Sequence, residues 1–420
     1  MVAGKLKRAG LVSTNSIRGG ANREVLKPVV EHGRIFEAWS DEDWTVEGAA
    51  VRVSMVCFES DADRQEAHLN GANVGKIFAD LSAERGGVDL TTAARLPENR
   101  AVAFQGPVKV GPFDVDGNMA REWLVGPTNP NGRRNTDVVH PLLNGMDITR
   151  RPSDRWIINF GERSKHDSSL FEGPFEYVRS VVKPVRDANR DQQRRENWWR
   201  LGRSGRDYVD AVVGRNRAIF SPRVAKFRLF VWATASVVPD SRVVAIARDD
   251  DATFGILHSR FHEVWSLALG GWHGVGNDPQ YTPSLGFETF PFPEGLTPNI
   301  PAADCADDPR AQAIAMAAAR LNELRENWLN PPDLVRREPE VVAGYPDRLL
   351  PVDEAAAKEL ARRTLTNLYN ARPAWLAHAH AALDEAVADA YGWGDDWRAG
   401  LLTDDEILAR LFRLNQARAG

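Results

Sequence analysis

The chain has 420 residues, 43% hydrophobic and 26% charged, with a formal charge of −5 at pH 7; that length holds two or three globular domains, and the charge argues against a histone-like coat on DNA. No run of about 18 apolar residues is present to span a membrane as a helix, and MVAGKLKRAG has charge but no apolar stretch behind it, so it does not read as a secretory signal. Two cysteines, Cys57 and Cys305, give no disulfide framework and point to a reducing, cytoplasmic compartment.

From the N-terminus, residues 8 to 58 read as strand, helix, strand, strand. RAGLVSTN is the first strand. NREVLKPVVEHG places Val25, Leu26, Val29 and Val30 on one side of a helix that Gly33 closes. RIFEAWS is a short strand. AAVRVSMVCF has period two, with Val51, Val53, Met55 and Cys57 on one face and Arg52, Ser54, Val56 and Phe58 on the other. Residues 59 to 100 are polar and loop-like. From Ala101 to about Phe292, short β-prone runs (AVAFQG, RWIINFG, RLFVWATASVV, SRVVAIA) alternate with Gly/Pro/Asn loops, which predicts a mixed, β-containing domain. FPFPEGLTPNIPAAD reads as a hinge. After it, RAQAIAMAAARLNELRENWL, DEAAAKELARRTLTNLYN, PAWLAHAHAALDEAVADAYGW and TDDEILARLFRLNQ carry helical spacing, the last opening on a capping box of Thr403 and Glu406. The expected class is α/β plus α+β.

Familiar catalytic signatures are missing: no P-loop, no G-x-G-x-x-G after a strand, no Glu-x-Lys or Asp-x-Lys of a metal-dependent nuclease. Asn330-Pro331-Pro332-Asp333 is superficially like the Asn-Pro-Pro-aromatic motif of amino-methyltransferases. It follows a helix rather than a strand, however, and Asp333 cannot stack on a base, so helix termination by proline is the preferred reading. His258 and His262 lie four apart beside Glu263, but without a third ligand they read as satisfied helix histidines, with no metal expected. His378 and His380 do not share a helix face.

Arginine dominates the basic residues, with 9 Lys among 53 Lys plus Arg and hence 44 Arg. Between Lys183 and Asp207 the stretch RDANRDQQRRENWWRLGRSGRD interleaves Arg186, Arg190, Arg194, Arg195, Arg200, Arg203 and Arg206 with Trp198 and Trp199. Two readings stand: a groove that tracks phosphates and stacks on bases, or a solvated helix with internal Arg–Asp pairs and its tryptophans in the core. The loop Asn131-Gly132-Arg133-Arg134-Asn135 offers side chains able to pair with guanine and adenine edges.

GLVSTNSIRGGANREVL…GRIFEAWSDEDWTVEGAAVRVSMVCF resembles the last third of the catalytic domain of adenine-specific, S-adenosyl-L-methionine-dependent DNA methyltransferases of the large single-chain restriction–modification and phage-defence type. LLNGMDITRRPSDRWIINFG, FGILHSRFHEVW and YTPSLGFETFPFP resemble their target-recognition domain, and LTNLYNARPAWLAHAHAALDEAVADAYGW with EILARLFRLN their helical C-terminus. The resemblance implies three parts. Residues 1–65 are a partial Rossmann-like methyltransferase sheet, 66–300 a mixed β-rich recognition domain and 301–420 a helical domain. It also implies N6-adenine methylation of double-stranded DNA with base flipping. The cofactor-binding and Asn-Pro-Pro-aromatic motifs would then lie N-terminal to Met1, on a separate SAM-binding, catalytic polypeptide or lost from a truncated gene. No cofactor and no catalytic residue are expected for this chain alone. A binding-only specificity module or a degenerate remnant is the alternative. The resemblance further assigns Phe58, at the end of the final β-hairpin, to stacking on the flipped adenine; a strand-end phenylalanine covering the core is the competing reading.

Overall fold

The structure is a computed structural model that describes residues 7–18, 20–46, 49–60, 66–83, 88–273 and 278–419. The N-terminal strands are β1 (Arg8–Thr14), β2 (Arg34–Val46), β3 (Ala49–Glu59), β4 (Ala67–Leu69) and β5 (Ala72–Val74), arranged β1-β3-β2-β4-β5. β3 lies between β1 and β2 and is antiparallel to both, so β1 and β2 run the same way across the intervening helical segment. That segment differs from the single helix expected. A 3-10 stretch over Gly20–Val25 precedes a short helix at Lys27–His32, because Pro28 has no N–H to continue an earlier turn and is tolerated only where a helix starts. Gly33 is required for another reason than a left-handed cap: a Cβ there would stand 2.3 Å from the Glu59 carbonyl oxygen.

β2 runs six residues past the expected end, through the acidic SDEDW. Arg52 on β3 makes this possible by pairing with Asp41 and Asp43 at 2.6 Å each, so carboxylates beyond the expected strand become cross-strand partners. At the other end Glu59, nearly buried, is clamped by Arg8 at 2.8 Å and Arg34 at 2.9 Å. Burial alone would raise its pKa; the two guanidinium groups outweigh that and hold it low.

The next strands are β6 (Ala103–Gln105), β7 (Asp114–Asp116), β8 (Val139–Leu143), β9 (Arg155–Ile158), β10 (Arg217–Pro222), β11 (Val231–Thr234), β12 (Val238–Pro239) and β13 (Val243–Ile246). They form two four-stranded sheets, β11-β10-β13-β6 and β12-β8-β9-β7. β10 and β13 are buried on both faces and read as continuous apolar runs rather than alternating ones.

The C-terminal helices do not stand apart from these sheets. One apolar core runs from Val102 through β10 and β13 to Leu411. The Asp251–His258 helix packs on the helices Pro309–Leu329 and Ala374–Ala390. Gly255 lets them approach, since a Cβ there would lie 2.6 Å from Ile314 and 3.0 Å from Ala318 and Leu383. The expected hinge is a locked corner: Phe287, Phe290 and Phe292 are fully buried. Asn99 Nδ2 donates to the Phe287, Glu288 and Phe290 carbonyls, and Asn415 Nδ2 to those of Thr289 and Ala94. Proline fixed φ but said nothing of the phenylalanines between. Gly255→Val should therefore destabilise the β11-β10-β13-β6 sheet and the C-terminal helices together, reducing the free energy of their shared unfolding transition by about 1–3 kcal/mol; loss of C-terminal helicity alone, with that sheet intact, would contradict a shared core.

Candidate nucleic-acid interface

The loop Asn129–Asp137 is shaped by its own polar groups. Gly132 takes a left-handed φ of 74°, which suits glycine, and its N–H donates to the Asn129 carbonyl. Asn129 Nδ2 donates to the Arg133 carbonyl and to Asn135 Oδ1, and the buried Asn135 gives its own Nδ2 to the Trp123 carbonyl at 2.9 Å. Asn135 is thus committed to holding the loop. It is not free for an adenine edge. Arg133 reaches Asp137 at 3.3 Å but stays mostly exposed. The exposed Arg134 accepts the Asp137 N–H on its carbonyl, while its side chain has no hydrogen-bond or ion-pair partner among the described residues.

The basic stretch is two short helices, Lys183–Asp187 and Gln192–Glu196, and a turn. Trp198 and Trp199 are 5% and 8% exposed. Trp198 packs on Phe175 at 5.3 Å, and Trp199 Nε1 donates to the Arg163 carbonyl. Their faces belong to the core around β8 and β9, which corrects the base-stacking reading in favour of its alternative. Several arginines staple the backbone. Arg186, buried, donates to the Lys109 and Arg200 carbonyls. Arg195 donates to Asn189 and Arg190, and Arg200 to Glu162 and Arg163 while lying over the Trp199 ring. Arg194 pairs with Asp191 at 3.2 Å. Arg190 is exposed.

Three other sequence features resolve. Asn330 caps the C-terminus of the Pro309–Leu329 helix, its N–H on the Glu326 carbonyl, as the helix-termination reading has it. Phe58 sits half-buried against the N-terminal core, paired with Ala9 near the start of β1 and with Ile35 near the start of β2. Ligands of α/β sheets gather at the carboxyl ends of parallel strands. Phe58 lies at the opposite end and packs as its competing reading expected.

His258 and His262 fall on successive helices, Asp251–His258 and Arg260–Leu269, divided at Ser259. His258 Nε2 accepts from Arg325 at 2.7 Å, and His262 Nε2 faces the Tyr281 hydroxyl at 3.1 Å while Nδ1 faces the Leu257 carbonyl. No cluster of three metal-ligating side chains occurs among the described residues.

The sequence reading passed over the loop between β10 and β11, RVAKFRLF, because three cations in eight residues do not stand out among 44 arginines. Lys226 is exposed and donates to Asn370 Oδ1 at 2.6 Å, and Arg223 donates to the Ser241 carbonyl at 3.3 Å.

Most of these elements fall inside a recognisable unit: residues 137–294 match a family model described as the target recognition domain of MmeI. The fold extends the likeness to nearly the whole chain. The structure of the type IIL restriction-modification enzyme MmeI in complex with DNA superposes with a TM-score of 0.69 at 18% identity, covering 98% of this chain and 50% of that one. The type IIG restriction endonuclease BpuSI matches with a TM-score of only 0.30 at 10% identity, over 92% of this chain and 48% of that one, too weak to bear on the fold. Among curated proteins there is no significant match. The chain thus spans about half the length of the enzyme whose fold it shares.

Buried imidazoles give the scaffold a pH signature. Burial lowers His262 to about 3 and both His140 and His380 to about 4, reinforced respectively by the charges of Arg228, Arg163 and Arg325, and it holds His258 well below the usual imidazole range. Each is neutral when folded, so the unfolded chain takes up protons first as pH falls below about 6.5 and stability is lost. Asp384 acts oppositely: burial raises it to about 7, so its contribution grows as pH drops. Four bases against one acid predict a melting temperature that falls between pH 7 and 5; a flat or rising profile would mean that these histidines are protonated in the fold.

Proposed function

We propose that this chain is the sequence-specific DNA-recognition part of an N6-adenine DNA methyltransferase of a restriction–modification or phage-defence system, working with an N-terminal SAM-binding, catalytic polypeptide. The observation that carries the reading is the match of residues 137–294 to a target recognition domain, within a fold shared with an enzyme solved in complex with DNA. The partner half is supported by the N-terminal sheet. β1 is an edge strand whose outer side has no neighbour among the described residues, and it exposes Leu11 and Val12 at 36% and 55%. Such an edge pairs readily with a further strand.

The residues after β1 do not fit S-adenosyl-L-methionine. The turn is a 3-10 helix, Asn15–Arg18, whose Ile17 fills the core while Arg18 donates to the Ser40 carbonyl. The methyl donor is therefore assigned to the partner, and no step of transfer is assigned to this chain. What the chain contributes is positioning: a rigid pair of sheets that presents cationic loops to the duplex.

Isolated chain should bind random-sequence duplex DNA with a log–log salt slope of about −0.9 per phosphate neutralised. Replacing the exposed Arg134 and Arg190 by alanine should flatten that slope by up to ~1.8 and leave the melting temperature nearly unchanged. Replacing Arg194, Arg195 and Arg200 should instead lower stability, because the carbonyl bonds of Arg195 and Arg200 and the Arg194–Asp191 pair are lost. Anisotropy titrations showing no duplex binding at any salt would defeat the reading.

A further inference from the structure

Four arginines are buried among the described residues: Arg186, Arg228, Arg248 and Arg325. Three have partners that explain them. Arg186 holds two carbonyls. Arg248 holds Asp250 and the Pro298 and Ile300 carbonyls, and Arg325 holds His258 and the Phe230 carbonyl. Arg228 is different. It is 6% exposed, yet its Nε, Nη1 and Nη2 are all buried without a hydrogen-bond partner. It lies over the Tyr281 ring at 4.7 Å, a contact that attracts a cation but satisfies none of its donors. Glu263, the carboxylate acting on it, is itself engaged by Arg260 at 2.7 Å.

The loop that carries it is cationic. Arg228 belongs to the β10–β11 loop with Arg223 and Lys226, the charge of Arg203 reaches Arg223, and Lys226 is joined to Asn370, two residues from the exposed Arg372. A planar fork of donors without acceptors, in a loop that carries two further cations, suits an anionic ligand that offers paired acceptors.

Resting on the DNA-recognition reading above, we infer that Arg228 is a reserve DNA contact: its guanidinium leaves the Tyr281 ring and takes paired acceptors on the duplex, a phosphate or a guanine edge, beside Arg223 and Lys226. A side chain poorly satisfied in the free protein and well satisfied in the complex supplies the differential affinity that shifts such an equilibrium.

The test uses the full chain, Arg228→Met and Arg228→Lys, with a random-sequence duplex as probe. Methionine removes an unpaired buried charge while filling similar space, so the free variant should melt higher than wild type, yet bind the duplex about 10- to 100-fold more weakly. A phosphate contact would flatten the salt slope by about 0.9 in Arg228→Met and leave it in Arg228→Lys. A guanine contact would leave the slope and relax the sequence preference of the bound pool in both. Wild-type affinity in Arg228→Met, whatever its melting temperature, overturns the inference while leaving the DNA reading intact. A wild-type chain that binds no duplex overturns both.

Discussion

The guanidinium of Arg325 is the tie on which the rest of the molecule depends. It rises from the Pro309–Leu329 helix, is 1% exposed, and donates from Nη1 to His258 and from Nη2 to the Phe230 carbonyl at the end of the β10–β11 loop. The Phe230 N–H also points at His258 Nε2, so one imidazole nitrogen takes donors from the loop leading into β11 and from a C-terminal helix together. That ring must stay neutral to accept, and burial ensures it. Around this tie Phe230 touches the rings of His258, His262 and Tyr281. The β11-β10-β13-β6 sheet and the C-terminal helices are therefore one packed body, beside which the β12-β8-β9-β7 sheet keeps a core of its own.

Such a scaffold gives meaning to a division among the arginines. Those turned inward hold carbonyls at the ends of short helices and turns, where a fork of donors satisfies groups that no regular element reaches. Those turned outward, Arg134 and Arg190 among them, are the cations that the proposed reading assigns to a polyanion. A net charge of −5 is compatible with recognition because the relevant quantity is the local field over a few loops, not the total.

Much of the architecture was legible from periodicity. The strands before Phe58, the buried run of β13, the long C-terminal helices and the helix stop at Asn330 each follow from local pattern. Thr403 also accepts the Glu406 N–H as a cap should, although the Glu406 carboxylate turns to Arg410 instead of closing the box. What escaped depended on distant partners. SDEDW becomes strand only because Arg52 stands across from it. FPFP is a corner only because Asn99 and Asn415, separated by most of the chain, claim its carbonyls. Trp198 and Arg186 look like nucleic-acid ligands in a composition, and nothing local says that Phe175 covers one and Lys109 accepts from the other. Arg228 was passed over for the converse reason: its missing partners are visible only in three dimensions.

Hydrogen–deuterium exchange of the full chain, with and without a random-sequence duplex at low salt, tests the central claim most directly. If rigid sheets present cationic loops to DNA, protection on binding should concentrate in the 129–137, 183–207 and 223–230 segments, while β10, β13 and the Pro309–Leu329 helix stay equally slow in both states. Protection confined to the Asp404–Ala419 helix, or spread through the shared core with those loops unchanged, would contradict it.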